Sequence, residues 1–286
     1  MIPSSLLRPL SSSSLRCLSS ISKPRHDVEG RPPLTQFSKQ EIALRDTVKR
    51  FSHNVIKPLV RSMDEESQMH PSVIKGVFDN GFMGVEVPEK YGGSQGSFFN
   101  VVTITEEMSK VDAAVALFSH AQNVVVGPMM TDLGTDDQKD KYMAKICTEL
   151  VGAFALSEAD SGSDAFSLQT TAKVDGDDFV INGRKLWVTN AEQAKLFYVF
   201  ANADPTKGYK GITCFIVDRE TPGLSIGKKE NKLGIRASST CPVNLDNVRV
   251  HKSAILGEYG KVCKRKLKYM FCSSSVPTLF MVTNMP

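Results

Sequence analysis

Two short stretches of this sequence hold residue types suited to gripping a flat, phosphate-bearing ligand. The first, Phe154-Ala-Leu-Ser-Glu-Ala-Asp-Ser-Gly-Ser-Asp164, reads as a strand running into a turn of small residues. Small side chains let backbone N–H groups and hydroxyls come close to ligand oxygens. The same residues also build ordinary surface turns. The second stretch, Leu186-Trp-Val-Thr-Asn190, contains the only tryptophan of the chain. Strand alternation would put Trp187 and Thr189 on one side, where an aromatic plane and a hydroxyl donor could flank a flat ring. The competing reading sets Trp187 in a hydrophobic core.

Two kinds of element must position these stretches. From Phe37 to about residue 148 the pattern is helical. Ser38 with Glu41 forms a capping-box signature, and Leu44, Val48, Phe51 and Val55 follow at spacings of 4, 3 and 4. Pro58 marks an end or a kink. A second helix is predicted from Pro71 to Phe78, closing near Gly81. Tyr91-Gly92-Gly93 reads as a loop, and Val101, Ile104, Met108 and Val111 repeat the helical stripe. The apolar run Ala113 to Leu133 reads as a buried helix interrupted at Pro128, and Thr135 with Gln138 caps a last helix carrying Tyr142 and Ile146.

Near Val151 the period changes to alternation. Asp175-Gly176 and Asn182-Gly183 give two turn signals between β-favouring runs, and strands are predicted at Gly211 to Asp218, Leu224 to Ile226 and Val243 to Val250. The expected fold class is multidomain α and β: an N-terminal all-α domain over 37–148, then a small antiparallel β-barrel over 149–257.

Composition excludes several classes of function. The 286 residues are 41% hydrophobic and 23% charged, which suits an ordinary soluble chain. The apolar runs are interrupted by charge, Gly or Pro well short of the roughly 18 residues of a membrane span. The net charge of +4 is concentrated at the ends: Arg8, Arg16, Lys23 and Arg25 before residue 27, and Lys261, Lys264, Arg265, Lys266 and Lys268 after Gly260, neither region holding an acid. The body between is near −5, so neither a basic groove nor a nucleic-acid partner is expected. Six cysteines without a CxxC pair suggest neither a disulfide framework nor a zinc site, so no metal is expected.

Residues 1–36 read as a mitochondrial presequence and leader. The first 26 contain nine serines, four bases and no acid, and Arg8, Pro9 and Ser11 to Ser14 break the apolar centre that a secretory signal needs. Residues 258–286 read as an atypical basic tail.

The conjunction of motifs carries a resemblance. Leu-Ser-Glu-Ala-x-Ser-Gly-Ser-Asp from Leu156, Asn-Gly-x-Lys-x-Trp-Val-Thr-Asn from Asn182 and Lys-Leu-Gly-Ile-Arg-Ala-Ser from Lys232 resemble the acyl-CoA dehydrogenase family from about Phe37 to Gly260. The wording around Ala-Asn-x-Asp-Pro-Thr-x-Gly-Tyr-Lys-Gly-Ile-Thr is similar to members that take short or 2-methyl-branched acyl groups. The resemblance implies FAD as cofactor, an acyl-CoA substrate oxidised across its α and β carbons, electron-transfer flavoprotein as electron acceptor, the mitochondrial matrix as location and a homotetramer for the complete family member. By motif it places Phe154, Leu156, Ser157, Gly162, Ser163, Trp187, Val188 and Thr189 around the cofactor. Leu156 and Ser157 would contact the pyrimidine side of the flavin, Trp187 would lie against the ring system and Thr189 would bond near N5. Ser163 would reach the pyrophosphate or the CoA, and Tyr209 would stand on the substrate side.

Two departures from the family pattern follow. Asp160-Ser-Gly-Ser163 replaces the usual Gly-Ala-Gly-Ser, which puts a carboxylate near a pyrophosphate and lowers the expected affinity for FAD. The family's C-terminal four-helix domain, which supplies the catalytic glutamate, has no counterpart here, so no residue is assigned a catalytic role and turnover by this chain is not expected. Glu158 is a poor substitute, because a base must reach the α proton from the face opposite the flavin. The rival readings are a non-catalytic FAD-binding or interaction protein and an acyl-CoA oxidase.

Overall fold

The computed structural model of the protein describes residues 36–165 and 167–260. Of the described residues, 36–40 fall outside the main compact unit, which begins at Glu41. The presequence reading for 1–36 therefore lies outside the described residues apart from its last residue, as does the tail reading beyond Gly260.

Seven α-helices are described. Helix α1 (Lys39–Phe51) starts just after Ser38 and buries Val48 and Phe51. A π turn, Ser52–Ile56, and a 3₁₀ turn, Lys57–Leu59, separate it from α2 (Val60–Glu65). Pro58 has no N–H to continue the ladder, so the predicted kink is built as a change of helix type. Helix α3 (Pro71–Asp79) begins with Pro71 at its first position and is followed by Gly81 at φ 71°. Helix α4 (Phe98–Ser109) opens on a capping box between Ser97 and Asn100.

Helix α5 (Ala113–Ala121) runs into a second π turn, Gln122–Val126, and α6 (Gly127–Leu133) continues from it. The interruption predicted at Pro128 therefore falls one turn earlier. This π turn ties the helices to the sheet region. Gln122 Nε2 donates to Ile146 O (2.9 Å) and Leu150 O (2.8 Å), and its Oε1 accepts from Gly152 N (3.0 Å). Asn123 accepts from Val85 N and donates to Phe82 O. Helix α7 (Asp136–Thr148) has the Thr135/Gln138 capping box expected of it and buries Tyr142 and Ile146.

The remaining chain forms seven strands: β1 (Gly152–Ala155), β2 (Thr171–Asp175), β3 (Asp178–Thr189), β4 (Leu196–Asn202), β5 (Ile212–Asp218), β6 (Leu224–Ile226) and β7 (Thr240–His251). The sheet is mixed, which corrects the antiparallel barrel. β4 pairs antiparallel with β5 along its whole length and takes β1 in parallel register, Gly152 opposite Leu196. It meets β2, again in parallel, at Thr171 and Asn202. The order then runs β2–β3–β7–β6 through antiparallel pairs. The described pairings trace a curled open sheet rather than a closed barrel.

A second correction concerns Asn182-Gly183. The Asp175-Gly176 signal does turn the β2–β3 hairpin, but Asn182-Gly183 lies within β3 as a β-bulge, where the register to β7 slips between Ile181 and Gly183. A Cβ on Gly183 would sit 2.4 Å from Thr170 Oγ1, and φ there is 154°. The glycine thus serves a close approach by the incoming loop.

Three hydrophobic clusters hold the body together. One lies among the helices and contains Phe51, Met63, Phe82, Ile104 and Phe118. A second lies on one face of the sheet, with Ile181, Phe197, Val199 and Phe215. The third joins helices to sheet through Met130, Tyr142, Ile146, Tyr198 and Phe200. Tyr198 hydroxyl donates to Val126 O (3.0 Å), satisfying a buried carbonyl at the end of the π turn.

Candidate cofactor site

The site is assembled where the loop after β1 meets a kink in β3. A second register slip in β3, between Lys185 and Val188, sets two residues against one on β7. Trp187 lies in this bulge with φ 59°, a conformation that costs an ordinary residue of order 1–3 kcal/mol. The result is an exposed ring: Trp187 is 61% accessible while its neighbour Val188 is buried in the sheet cluster. The core placement for Trp187 is therefore overturned. From Trp187 to Thr189 the residues are exposed, buried and half-buried in turn.

The Ser157–Ser163 turn is fastened to this bulge. Leu186 N donates to Ser157 O (2.8 Å), so the first residues of the turn lie beside Trp187. Leu156 is buried, and its carbonyl accepts from Lys185 Nζ (3.1 Å). Ser161 is fully buried and donates its hydroxyl to Asp164 O (2.8 Å), which shapes the turn from within. Gly162 and Ser163 are exposed, and a Cβ built on Gly162 would meet no atom within 4 Å. Open backbone at that point lets a bulky group approach. Asp160 is exposed on the same turn.

Phe154, on β1, is half-buried with its ring 4.8 Å from that of Phe200. Tyr209 stands apart from these residues, on the 3₁₀ segment Pro205–Gly211 between β4 and β5. It is 51% accessible, and Lys210 Nζ lies 5.9 Å from its ring centre. The structure thus ties Leu156 to Lys185 and Ser157 to Leu186 by hydrogen bonds, next to Trp187, and carries Tyr209 on a separate loop.

Beneath the site lies a pair to which the sequence reading gave no role. Lys185 Nζ and Glu158 Oε1 are 2.5 Å apart, with side chains 0% and 5% accessible, the one ion pair among the described residues with both partners buried. Glu158 also accepts from Gln169 N (2.6 Å) and Thr170 N (3.2 Å). Burial alone would raise the Glu158 carboxyl. The Lys185 ammonium, with hydrogen bonds from Lys185, Thr170 and Gln169, outweighs that and holds it below its ordinary value. Its oxygens are already engaged by Lys185, Gln169 and Thr170, a second reason that Glu158 is a poor base. Both residues stand in the motifs quoted above, but they are 27 positions apart and no local period links them.

The residues present suit a flavin dinucleotide. An outward indole on a bulge offers a plane for a flat ring, and the adjoining turn offers hydroxyls and an open glycine to a phosphate chain. Among the described residues no group of three or more His, Cys, Asp or Glu could hold a metal ion, and no helix is long and apolar enough to cross a membrane.

Comparison with known proteins defines the class. Residues 38–149 match the acyl-CoA dehydrogenase N-terminal domain and residues 153–248 the acyl-CoA dehydrogenase middle domain. The chain belongs to the acyl-CoA dehydrogenase family, a family of oxidoreductases. Among curated relatives it is 51% identical over 228 residues to the short/branched chain specific acyl-CoA dehydrogenase, mitochondrial, of Rattus norvegicus, covering 80% of this chain and 53% of the relative. The protein of that name from Bos taurus is 50% identical with the same coverage. The chain therefore spans about half the length of the curated relatives it matches. Among solved structures it resembles a chain of the electron transferring flavoprotein structure from Acidaminococcus fermentans (TM-score 0.81, 31% identity), covering 84% of this chain and 63% of that one. It also resembles an acyl-CoA dehydrogenase complexed with FAD from Bacillus anthracis (TM-score 0.76, 31% identity), covering 83% and 41%.

Proposed function

We propose that this chain holds FAD in the seam between the Ser157–Ser163 turn and the Trp187 bulge, and serves the α,β-dehydrogenation of short or 2-methyl-branched acyl-CoA. The observation that carries the reading is the outward Trp187 ring, fixed on a strained backbone beside a turn that is hydrogen-bonded to the preceding residue, Leu186. The FAD complex of the Bacillus anthracis relative and the short/branched chain relatives support the cofactor and the acyl class.

Bound FAD supplies a hydride acceptor for the β carbon while the α proton is removed. The chain's own part is to bind and orient. Trp187 covers the flat ring, the Leu156–Ser157 backbone meets its polar edge, and Thr189 donates a hydroxyl from the same strand. Ser163 and the open backbone of Gly162 receive the pyrophosphate or the CoA, with Asp160 opposing negative charge there. Tyr209 borders the acyl end from its own loop. Glu158 takes no proton, and we assign no residue of the sequence as the α-proton base. The proposed electron acceptor is an electron-transfer flavoprotein, in keeping with the likeness to the Acidaminococcus fermentans chain. The proposed location is the mitochondrial matrix, a reading supported by the mitochondrial relatives and by the Ser- and Arg-rich composition of the first 26 residues.

Titration with FAD tests the reading. Trp187 is the only tryptophan, so its emission reports on the site alone. Saturable quenching on adding FAD is expected. Emission that falls only in proportion to flavin absorbance, without saturation, overturns the assignment.

A further inference from the structure

A buried ion pair needs a reason, because well-packed apolar side chains of the same volume are often as stable or more so. Lys185 and Glu158 do not sit in a random part of the sheet. Lys185 is the last paired residue of β3 before the bulge that carries Trp187. Glu158 follows directly on Ser157, whose carbonyl accepts from Leu186. The far oxygen of the carboxylate holds Gln169 N, and both oxygens reach Thr170 N, so Glu158 ties the start of the turn to residues 169 and 170. Thr170 in turn packs on Gly183 at the earlier bulge of β3. The stretch Gly183 to Trp187 is thus fixed at two points, both reached through Glu158.

We propose that the Glu158–Lys185 pair is a positioning device. It locks the start and end of the cofactor turn to the bulge in β3, and so sets the orientation of the Trp187 ring relative to the turn before any ligand arrives. The proposal rests on the cofactor site described above, and neither residue touches the ligand. Long unbranched side chains would fill the same space, but they would offer no acceptor to Gln169 and Thr170 and no donor to the Leu156 carbonyl. Preorganisation of this kind lowers the ordering cost that binding would otherwise meet.

The test uses the full chain carrying Glu158→Gln together with Lys185→Met, which removes both charges and leaves no lone buried one. Far-UV circular dichroism establishes that the variant is folded. The steady-state anisotropy of Trp187 and its quenching by acrylamide are then read without FAD, and FAD is titrated afterwards. The expected result is lower anisotropy, altered quenching and FAD affinity weakened by about tenfold or more with the fold intact. Anisotropy and quenching equal to the unaltered chain in a folded variant overturn the proposal, as does wild-type FAD affinity. If the double variant does not fold, Glu158→Asp, which keeps both charges and shortens the tie, is measured in the same way, with the same direction expected and the same null result overturning it. A wild-type chain that fails to bind FAD defeats the functional reading instead, and the FAD-free anisotropy still decides the positioning role.

Discussion

The helical half and the sheet half bury ionisable groups in opposite ways. In the helices, His120 on α5 is 3% accessible and neither ring nitrogen has a partner. Burial lowers its pKa to about 4, so it is carried as a neutral ring among apolar neighbours. In the sheet, Lys185 and Glu158 are equally buried but charged, paired and bonded to three loop backbone groups. The first group is tolerated by packing. The second is retained with its full set of partners, next to two bulges and a non-glycine residue at positive φ. Both register slips of β3 and the positive φ of Trp187 lie beside this pair, whereas the departures of the helical half, two π turns and positive φ at Ser67 and Gln95, accompany no such buried ion pair.

The largest expected effect that probes this contrast is Lys185→Met alone. It leaves the Glu158 carboxylate buried without its cation and should cost about 3–5 kcal/mol in chemical denaturation. The double change with Glu158→Gln should recover most of that loss, and a double change no more stable than the single one would show that the charge pairing is not the source. His120→Leu should act on pH dependence instead. The folded pKa lies below the ordinary value near 6.5, so the unfolded chain binds the extra proton between about pH 6.5 and 4, and stability falls as pH drops through that window. The loss should be roughly 3 kcal/mol in the unaltered chain and absent in the leucine variant. The depressed Glu158 carboxyl contributes stability that is present above its unfolded value and is lost only as pH falls through its lower folded value, so the two acid limbs should separate.

Gly183→Ala should destabilise by about 1–3 kcal/mol through backbone strain, and more where Thr170 cannot yield. Its melting temperature should fall while that of Gly162→Ala, built into open space, should hardly move. The smallest effect belongs to the regular half. Thr135→Ala removes one arm of the α7 capping box and should cost about 1 kcal/mol in the same denaturation experiment, with no change in Trp187 emission.

These differences also explain what could be read from the sequence. Helices declare themselves through spacings of 3 and 4 and through caps such as Thr135 with Gln138. The box at Ser97 went unread because Asn100 takes the place of the usual Glu or Gln. Strand β4 was missed altogether: every residue from Leu196 to Ala201 is buried, so the run Leu-Phe-Tyr-Val-Phe-Ala has no alternation to detect. That same strand makes the sheet mixed. Asn182-Gly183 looks like a hairpin turn by residue type, and only the contact with Thr170 shows why a bulge stands there. Of the site, the turn and the tryptophan were visible as residue types. Their junction was not, because a buried pair spanning 27 residues leaves no periodic trace, and an outward indole on a bulge looks the same in sequence as a buried one on a regular strand.

The central claim is that the bulge and the turn together receive the flavin. A crystal structure of the chain with FAD tests it most directly. The account predicts the flavin ring against Trp187, the Leu156–Ser157 backbone at its polar edge, the pyrophosphate beside Gly162 and Ser163, and the Glu158–Lys185 pair unmoved. FAD bound elsewhere, or a Trp187 ring turned into the protein with the seam closed, would contradict it.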